Sequence, residues 1–367
     1  MTDTRLSRLA TQLQETRFAA LAVNAGPTLT YLTGLRFHLM ERPVVMVFAA
    51  GHEPVIILPE LEQAKLDRLP FPARVYTYGE NPQAWGKIFG EALAGLGLAG
   101  RKVAVEPRQL RLLEYDYLRA ACSGMEFGDG STIVAALRAR KDAEEITCMR
   151  RAVRIAEDAL MATLPRIKTG VTEKEIAEEL FLQLIRHGSE TTLPFAPIVA
   201  AGPNGANPHA QPSDRRLAPG DLLIVDWGAS HDGYAADLTR TFAVGRIDAE
   251  AERIHKLVQK ANEAGRAAGG PGVHCAAVDA AARRVIAEAG YGSYFTHRTG
   301  HGIGMECHEE PYIRGDNEQL LEIGMAYTVE PGIYLPGKNG VRIEDDVVVT
   351  ADGCETLSNM IREIRFV

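Results

Sequence analysis

Five cysteines (Cys122, Cys148, Cys275, Cys307 and Cys354) are scattered through 367 residues, odd in number and never spaced as a CxxC pair. That excludes a disulfide framework or a cysteine zinc cluster as the organising element. Positive charge is in deficit. The formal net charge of −8 leaves no basic footprint for nucleic acid or an anionic membrane surface. No apolar run is long enough to span a bilayer. The amino terminus lacks the charged start and apolar core of a secretory signal, so the expected compartment is the cytoplasm. Low-complexity tracts and solenoid-length repeats are missing too. What is present is ordinary for a soluble protein, with 46% hydrophobic and 24% charged residues, and the length makes two domains the default.

The first part of the chain alternates apolar strand-like runs (Ala19 to Val23, Val44 to Ala49, Val55 to Leu58, Val103 to Val105) with helical patterns at Arg5 to Glu15 and Pro82 to Leu96. This predicts a small α/β domain over residues 1–130, closed by the break Gly128-Asp-Gly-Ser131. Amphipathic helices follow at Asp142 to Leu164, Thr172 to His187 (with a capping-box start, Thr172 and Glu175), Ala249 to Gly269 and Cys275 to Ala289. Residues 131–367 form the second predicted domain.

Its carboxylates are placed with purpose. Asp221 to Ala229 reads as a buried strand and Tyr234 to Val244 as the returning one. A fold-back at His231-Asp232 sets Asp226 directly opposite Asp237, where two like charges repel unless a cation is shared between them. A second hairpin runs from Ala326 to Glu330 and back through Val341 to Thr350, and a fold-back near Gly337 pairs Glu330 with Glu344. Two hairpins with two carboxylates each suit a pair of divalent cations. His301 lies in Thr299-Gly-His-Gly-Ile-Gly304. Its glycines let backbone approach closely or take positive φ, and imidazole is a good ligand for manganese, cobalt, zinc or iron. His308 is spaced as a second inward-facing group. Cys307, between the two histidines, either packs as a small apolar group or faces the metals and confers sensitivity to soft cations.

The blocks Val225-Asp226-Trp-Gly, Ala236-Asp237-Leu-Thr-Arg-Thr, Gly300-His301-Gly-Ile-Gly, His308-Glu-Glu-Pro311, Val329-Glu330-Pro-Gly-Ile-Tyr334 and Arg342-Ile-Glu344-Asp together resemble the pita-bread metallopeptidases. Prolidase, aminopeptidase P and methionine aminopeptidase are members. Leu137 to Ile146 is similar to the linker helix, and Tyr31-Leu-Thr-Gly34 to the amino-terminal domain, of the Xaa-Pro branch. The resemblance implies an α+β pita-bread catalytic domain behind a smaller creatinase-like α/β domain. It implies Asp226, Asp237, His301, Glu330 and Glu344 as ligands to two metal ions, Mn²⁺ first by virtue of the oxygen donors and Co²⁺, Zn²⁺ or Fe²⁺ acceptable.

It further implies hydrolysis of the amino-terminal Xaa-Pro bond by a metal-bridging hydroxide. Glu330 would shuttle a proton to the leaving nitrogen. His308 would donate to the carbonyl oxygen and His209 would contact substrate near the scissile bond. Proline removes the amide N–H, so an apolar slot suffices, with Phe195, Tyr312 and Tyr334 as candidate walls. Arg342 is expected beside substrate, orienting the carboxylates. Several prolidases carry arginine where this chain has Tyr312. That departure tilts the expectation toward aminopeptidase P-like cleavage of longer peptides, with Xaa-Pro dipeptidase as the alternative and Arg298 or Arg314 as substitutes for the missing cation. The family plan implies a homodimer in which the segment Phe37 to Arg42, with His38, reaches the partner's site. Methionine aminopeptidase, creatinase and non-catalytic chaperone relatives fit less well, since the five ligands are intact and a preceding domain is present.

Overall fold

The computed structural model describes residues 2–367. The chain divides into two compact units after Arg138. In the first, a six-stranded mixed sheet runs in the order Arg74–Tyr78, Val55–Pro59, Val45–Ala49, Ala20–Asn24, Lys102–Val105, Glu126–Asp129. Its three central strands up to Pro59 are buried at every position, which is why their sequences read as continuous apolar runs. Helices Pro82–Leu93 and Leu112–Ala121 add Trp85, Phe89, Leu93 and Leu118 to the core. This is the expected small α/β domain.

The break read near residue 130 lies inside that unit. Glu126–Asp129 pairs in parallel with Lys102–Val105, and helix Ser131–Arg138 continues the same unit. Gly130 is glycine because a Cβ there would stand 2.9 Å from the Val105 carbonyl oxygen. It marks a close backbone approach rather than a linker. The stretch likened to one linker helix is likewise two: Leu137 and Arg138 end one helix, and Ala143 starts the next.

In the second unit, helices Ala143–Thr163 and Glu173–Arg186 both open on capping boxes, Asp142 with Glu145 and Thr172 with Glu175. They are followed by the hairpin Leu222–Trp227 and Leu238–Ala243. Helices Ala249–Ala268 and Cys275–Glu288 are followed by the hairpin Ala326–Val329 and Asp345–Thr350. The order helix pair, then hairpin, therefore occurs twice. Leu223, Val225, Trp227, Leu238 and Phe242 face the first helix pair, and Trp227 Nε1 donates to Ala156 O at 2.8 Å. Strand side chains alternate, so Asp226 and Thr239 point the other way, into the space between the hairpins. Among the described residues, no helix is long and apolar enough to cross a membrane.

Asp345, beside Glu344, ties this region to the chain end. Its carboxylate accepts from Arg240 Nη2 at 2.8 Å, Arg362 Nε at 2.7 Å and Ser358 Oγ. Burial alone would raise this carboxyl, but Arg240, Arg362 and Ser358 outweigh it and hold it well below the usual range. A depressed folded-state pKa contributes stability that is present at neutral pH and lost progressively as pH falls from the unfolded-state value to that low value. Asp345→Asn takes the carboxylate partner from buried Arg240 and half-buried Arg362 and is expected to cost about 3–5 kcal/mol in urea denaturation; a loss below about 1 kcal/mol would show the cluster to be incidental.

Candidate metal centre

The first hairpin turns two residues away from the expected register. Its partners are Asp226 with Thr239 and Trp227 with Leu238. The turn is centred on Asp232-Gly233, both at positive φ (49° and 83°). That pair is a strong type I′ signal, and it overrides the fold-back placed at His231-Asp232. Asp237 is therefore a diagonal rather than a direct neighbour of Asp226. A shift of two keeps every side chain on its face, so both aspartates still point inward.

The second hairpin has the expected register. Val329 pairs with Asp345 and Gly332 with Arg342, which sets Glu330 across from Glu344. The ladder parts at these residues, and the tip strands Gly332–Tyr334 and Gly340–Arg342 form a separate ribbon. Glu344 leaves it to join the first hairpin: its N–H donates to Thr239 O at 3.0 Å, and Thr239 Oγ1 donates to its Oε2 at 2.7 Å. Thr239 thus connects the hairpins.

His301 is the centre of a buried strand, Gly300–Gly302, between Glu309–Ile313 and Ala326–Val329. A Cβ on Gly300 would fall 1.8 Å from Thr328 O, and one on Gly302 2.3 Å from Glu310 O. These glycines serve close approach; neither has positive φ.

Ligand atoms of Asp226, Asp237 and Glu344 lie within 4.8 Å of one another, as do those of His301, Glu330 and Glu344, and those of Asp237, His301 and His308. All five expected ligands come together, and His308 joins them, its ring 3.8 Å from that of His301. Burial first, and then the charges of Asp226, Asp346 and Glu330, push the Asp237 carboxyl well above the usual range. Burial and Asp237 do the same to Glu344. Burial lifts Glu330 to about 7 and Asp226 upward despite Arg342. Burial and His308 hold His301 well below its ordinary value, which favours the neutral imidazole. Asp226 Oδ1 is buried without a hydrogen-bond partner among the described residues. Repelling carboxylates, a neutral imidazole and an orphaned oxygen are what a divalent-cation site requires.

Surrounding groups hold the ligands. Arg342 Nη2 donates to Asp226 Oδ2, its Nε to Thr239 Oγ1 at 3.2 Å, and its Nη1 to Tyr334 OH at 2.9 Å and Pro208 O at 3.2 Å. Arg342 therefore orients a carboxylate and also tethers the loop that carries exposed His209. Tyr334, buried at 4% exposure, has its hydroxyl 2.8 Å from His297 Nε2; it supports Arg342 more than it walls a slot. Asp237 N–H donates to Asp346 Oδ2 at 3.1 Å. Thr239, Asp346 and His297 escaped the sequence reading. Period two from Asp237 would have flagged Thr239. The same period from Glu344 would have flagged Asp346, whereas nothing local flags His297.

Arg298 lies over the Tyr312 ring, 4.5 Å from its centroid, with Nη2 3.3 Å from His308 Nδ1. Arg314 instead pairs with Asp316 at the surface. Half-buried Phe195 packs where a Cβ on Gly228 would come within 3.0 Å. Cys307 is no apolar filler, for its thiol donates to Asp237 Oδ2 at 3.1 Å. His38 is exposed within the first unit.

Comparison with known proteins agrees with this geometry. Residues 147–351 match the model of metallopeptidase family M24, and residues 5–140 that of the creatinase/prolidase N-terminal domain. The Xaa-Pro dipeptidase of Lactobacillus delbrueckii subsp. lactis is 34% identical, with 98% of each chain covered. A dipeptidase structure from Pyrococcus horikoshii OT3 is 37% identical with a TM-score of 0.92, covering 99% of this chain and 100% of that one. An X-Pro aminopeptidase structure from Thermotoga maritima MSB8 is 30% identical with a TM-score of 0.85, covering 99% of each.

A carboxyl whose pKa is raised on folding destabilises the fold as pH climbs from its unfolded to its folded value. The metal-free protein is therefore expected to melt higher near pH ~5.5 than near ~7.5, and Mn²⁺ should raise the melting temperature most at the higher pH. Calorimetry showing no Mn²⁺ effect at either pH would contradict the site.

Proposed function

The chain belongs to metallopeptidase family M24, and from that premise we propose that it is a metal-dependent Xaa-Pro dipeptidase. The observation that carries the dipeptide reading is Arg298, a guanidinium lying over Tyr312 and against His308. It supplies the cation whose usual position Tyr312 occupies, beside the ligands, where the carboxylate of a dipeptide would end. The tilt toward longer peptides rested on Tyr312 alone and gives way. Relatives named as dipeptidases at over 30% identity support the same choice. Aminopeptidase P-like cleavage is the second reading, favoured by the Thermotoga neighbour.

Asp226, Asp237 and Glu344 would hold one ion, and Asp237, His301, Glu330 and Glu344 the other, so that Asp237 and Glu344 are shared. Mn²⁺ suits the oxygen-rich donor set. The metals supply Lewis acidity to the carbonyl and acidity to water. Glu330 carries a proton to the departing proline nitrogen. His308, at the open side of the cluster, donates to the carbonyl oxygen as charge develops there. His209, on the loop tethered by Arg342, contacts the substrate near the scissile bond. Phe195 and Tyr312 offer apolar surface to a proline ring that brings no N–H.

Kinetics on Ala-Pro against Ala-Pro-Ala test the reading. The dipeptide should be preferred, and Arg298→Met should lower its kcat/KM by roughly 10- to 100-fold, chiefly through KM. Equal turnover of both substrates, insensitive to Arg298, would refute it. The proposal includes a homodimer in which the His38 segment reaches the partner's site. His38→Ala should then raise KM without altering metal content, and unchanged kinetics would end that part.

A further inference from the structure

One group at the metal centre has no part in the reaction described. Cys307 Sγ lies 3.1 Å from Asp237 Oδ2, and the same oxygen is 3.7 Å from His301 Nε2. Sulfur, imidazole and carboxylate thus meet around a single oxygen atom. The thiol is half-buried beside Asp237, with the charges of Glu344 and Asp226 also felt there. The cluster is open to a cation, since the buried Asp226 Oδ1 finds no partner among the described residues. Asp226, Asp237 and Glu344 offer hard oxygen donors. On its other side, Asp237 is flanked by His301, His308 and Cys307, which offer nitrogen and sulfur. Oxygen donors suit Mn²⁺, whereas thiolate and imidazole select softer ions.

We propose that Cys307 is a sulfur ligand for thiophilic divalent cations, Zn²⁺ or Cd²⁺, captured together with Asp237, and that such ions compete with the hard metal of the peptidase. A separation of 3.1 Å between Sγ and Oδ2 is a bite that one cation spans. On capture, a metal–sulfur bond forms, the S–H bond breaks and its proton leaves to solvent. The shared oxygen belongs to a ligand needed by the hard metal, so occupancy by a soft ion and full loading with Mn²⁺ exclude each other. This rests on the metal-centre reading but not on the identity of the peptide substrate.

The test uses metal-free, reduced full-length protein and needs no activity assay. Cd²⁺ is titrated anaerobically into the wild type, Cys307→Ser and Cys307→Ala, following the ultraviolet thiolate-to-cadmium charge-transfer band. Mn²⁺ binding to the same samples is followed by calorimetry. Cys122, Cys148, Cys275 and Cys354 remain in every sample as the internal control. The first Cd²⁺ bound should produce the band in the wild type alone. Both variants should bind Cd²⁺ at least about tenfold more weakly, while Mn²⁺ affinity shifts by less than about threefold. An unaltered band and Cd²⁺ affinity in the variants, with Mn²⁺ still bound, would overturn the role of Cys307 alone. Failure of the wild type to bind Mn²⁺ would overturn the metal centre, and this inference with it.

Discussion

Four carboxylates removed from water within a few ångströms of one another dominate this protein. Asp226, Asp237, Glu330 and Glu344 are held where Coulomb repulsion and lost hydration act together. Arg342 sets one guanidinium against them. Protons or divalent cations can neutralise the rest, and without them the fold bears the cost. The surrounding structure reads as a brace against that repulsion: Thr239 hydrogen-bonds Glu344, Asp346 receives the Asp237 N–H, and Asp345 anchors the following strand to Arg240 and Arg362. Each brace is made by a residue one or two positions from a ligand, or directly across the ladder.

The site grades from dry to wet. The carboxylate ligands and His301 are largely buried, while His308, Arg298, Tyr312 and His209 lie toward solvent. On the wet side a guanidinium such as that of Arg298 retains enough hydration to exchange partners. On the dry side a low local dielectric strengthens every charge interaction. Cys307 stands between the two, and its sulfur gives the cluster a softer edge than the carboxylates alone would have.

Much of this was legible along the chain, and the failures are informative. The helix starts at Ala143 and Glu173 follow from capping boxes, which are local. The Glu330–Glu344 pairing follows from a turn centred at Gly337, and the register holds through both ribbons. The first hairpin was misplaced by two residues because Asp232-Gly233 outranks its neighbours as a turn. Asp226 and Asp237 still face the same cluster, since a shift of two leaves faces unchanged. Gly130, read as a break, and Gly300, read as allowing close approach or positive φ, are both explained by backbone passing too close for a Cβ. A sequence does not distinguish those uses of glycine, because the second strand is remote in number.

The sequence by itself determined most of the helices and strands, the candidate carboxylates and histidine of the cluster, and the face each one occupies, because periodicity and turn chemistry act over a few residues. Only the tertiary structure decided that Glu344 would abandon its own hairpin for Thr239, that Arg342 would tether the His209 loop, that Arg298 would lie over Tyr312, and that Cys307 would face Asp237. Those contacts join residues 14 to 134 positions apart. They form only when the helix pairs have packed and brought the ribbons together, and no local pattern records which side chains then meet.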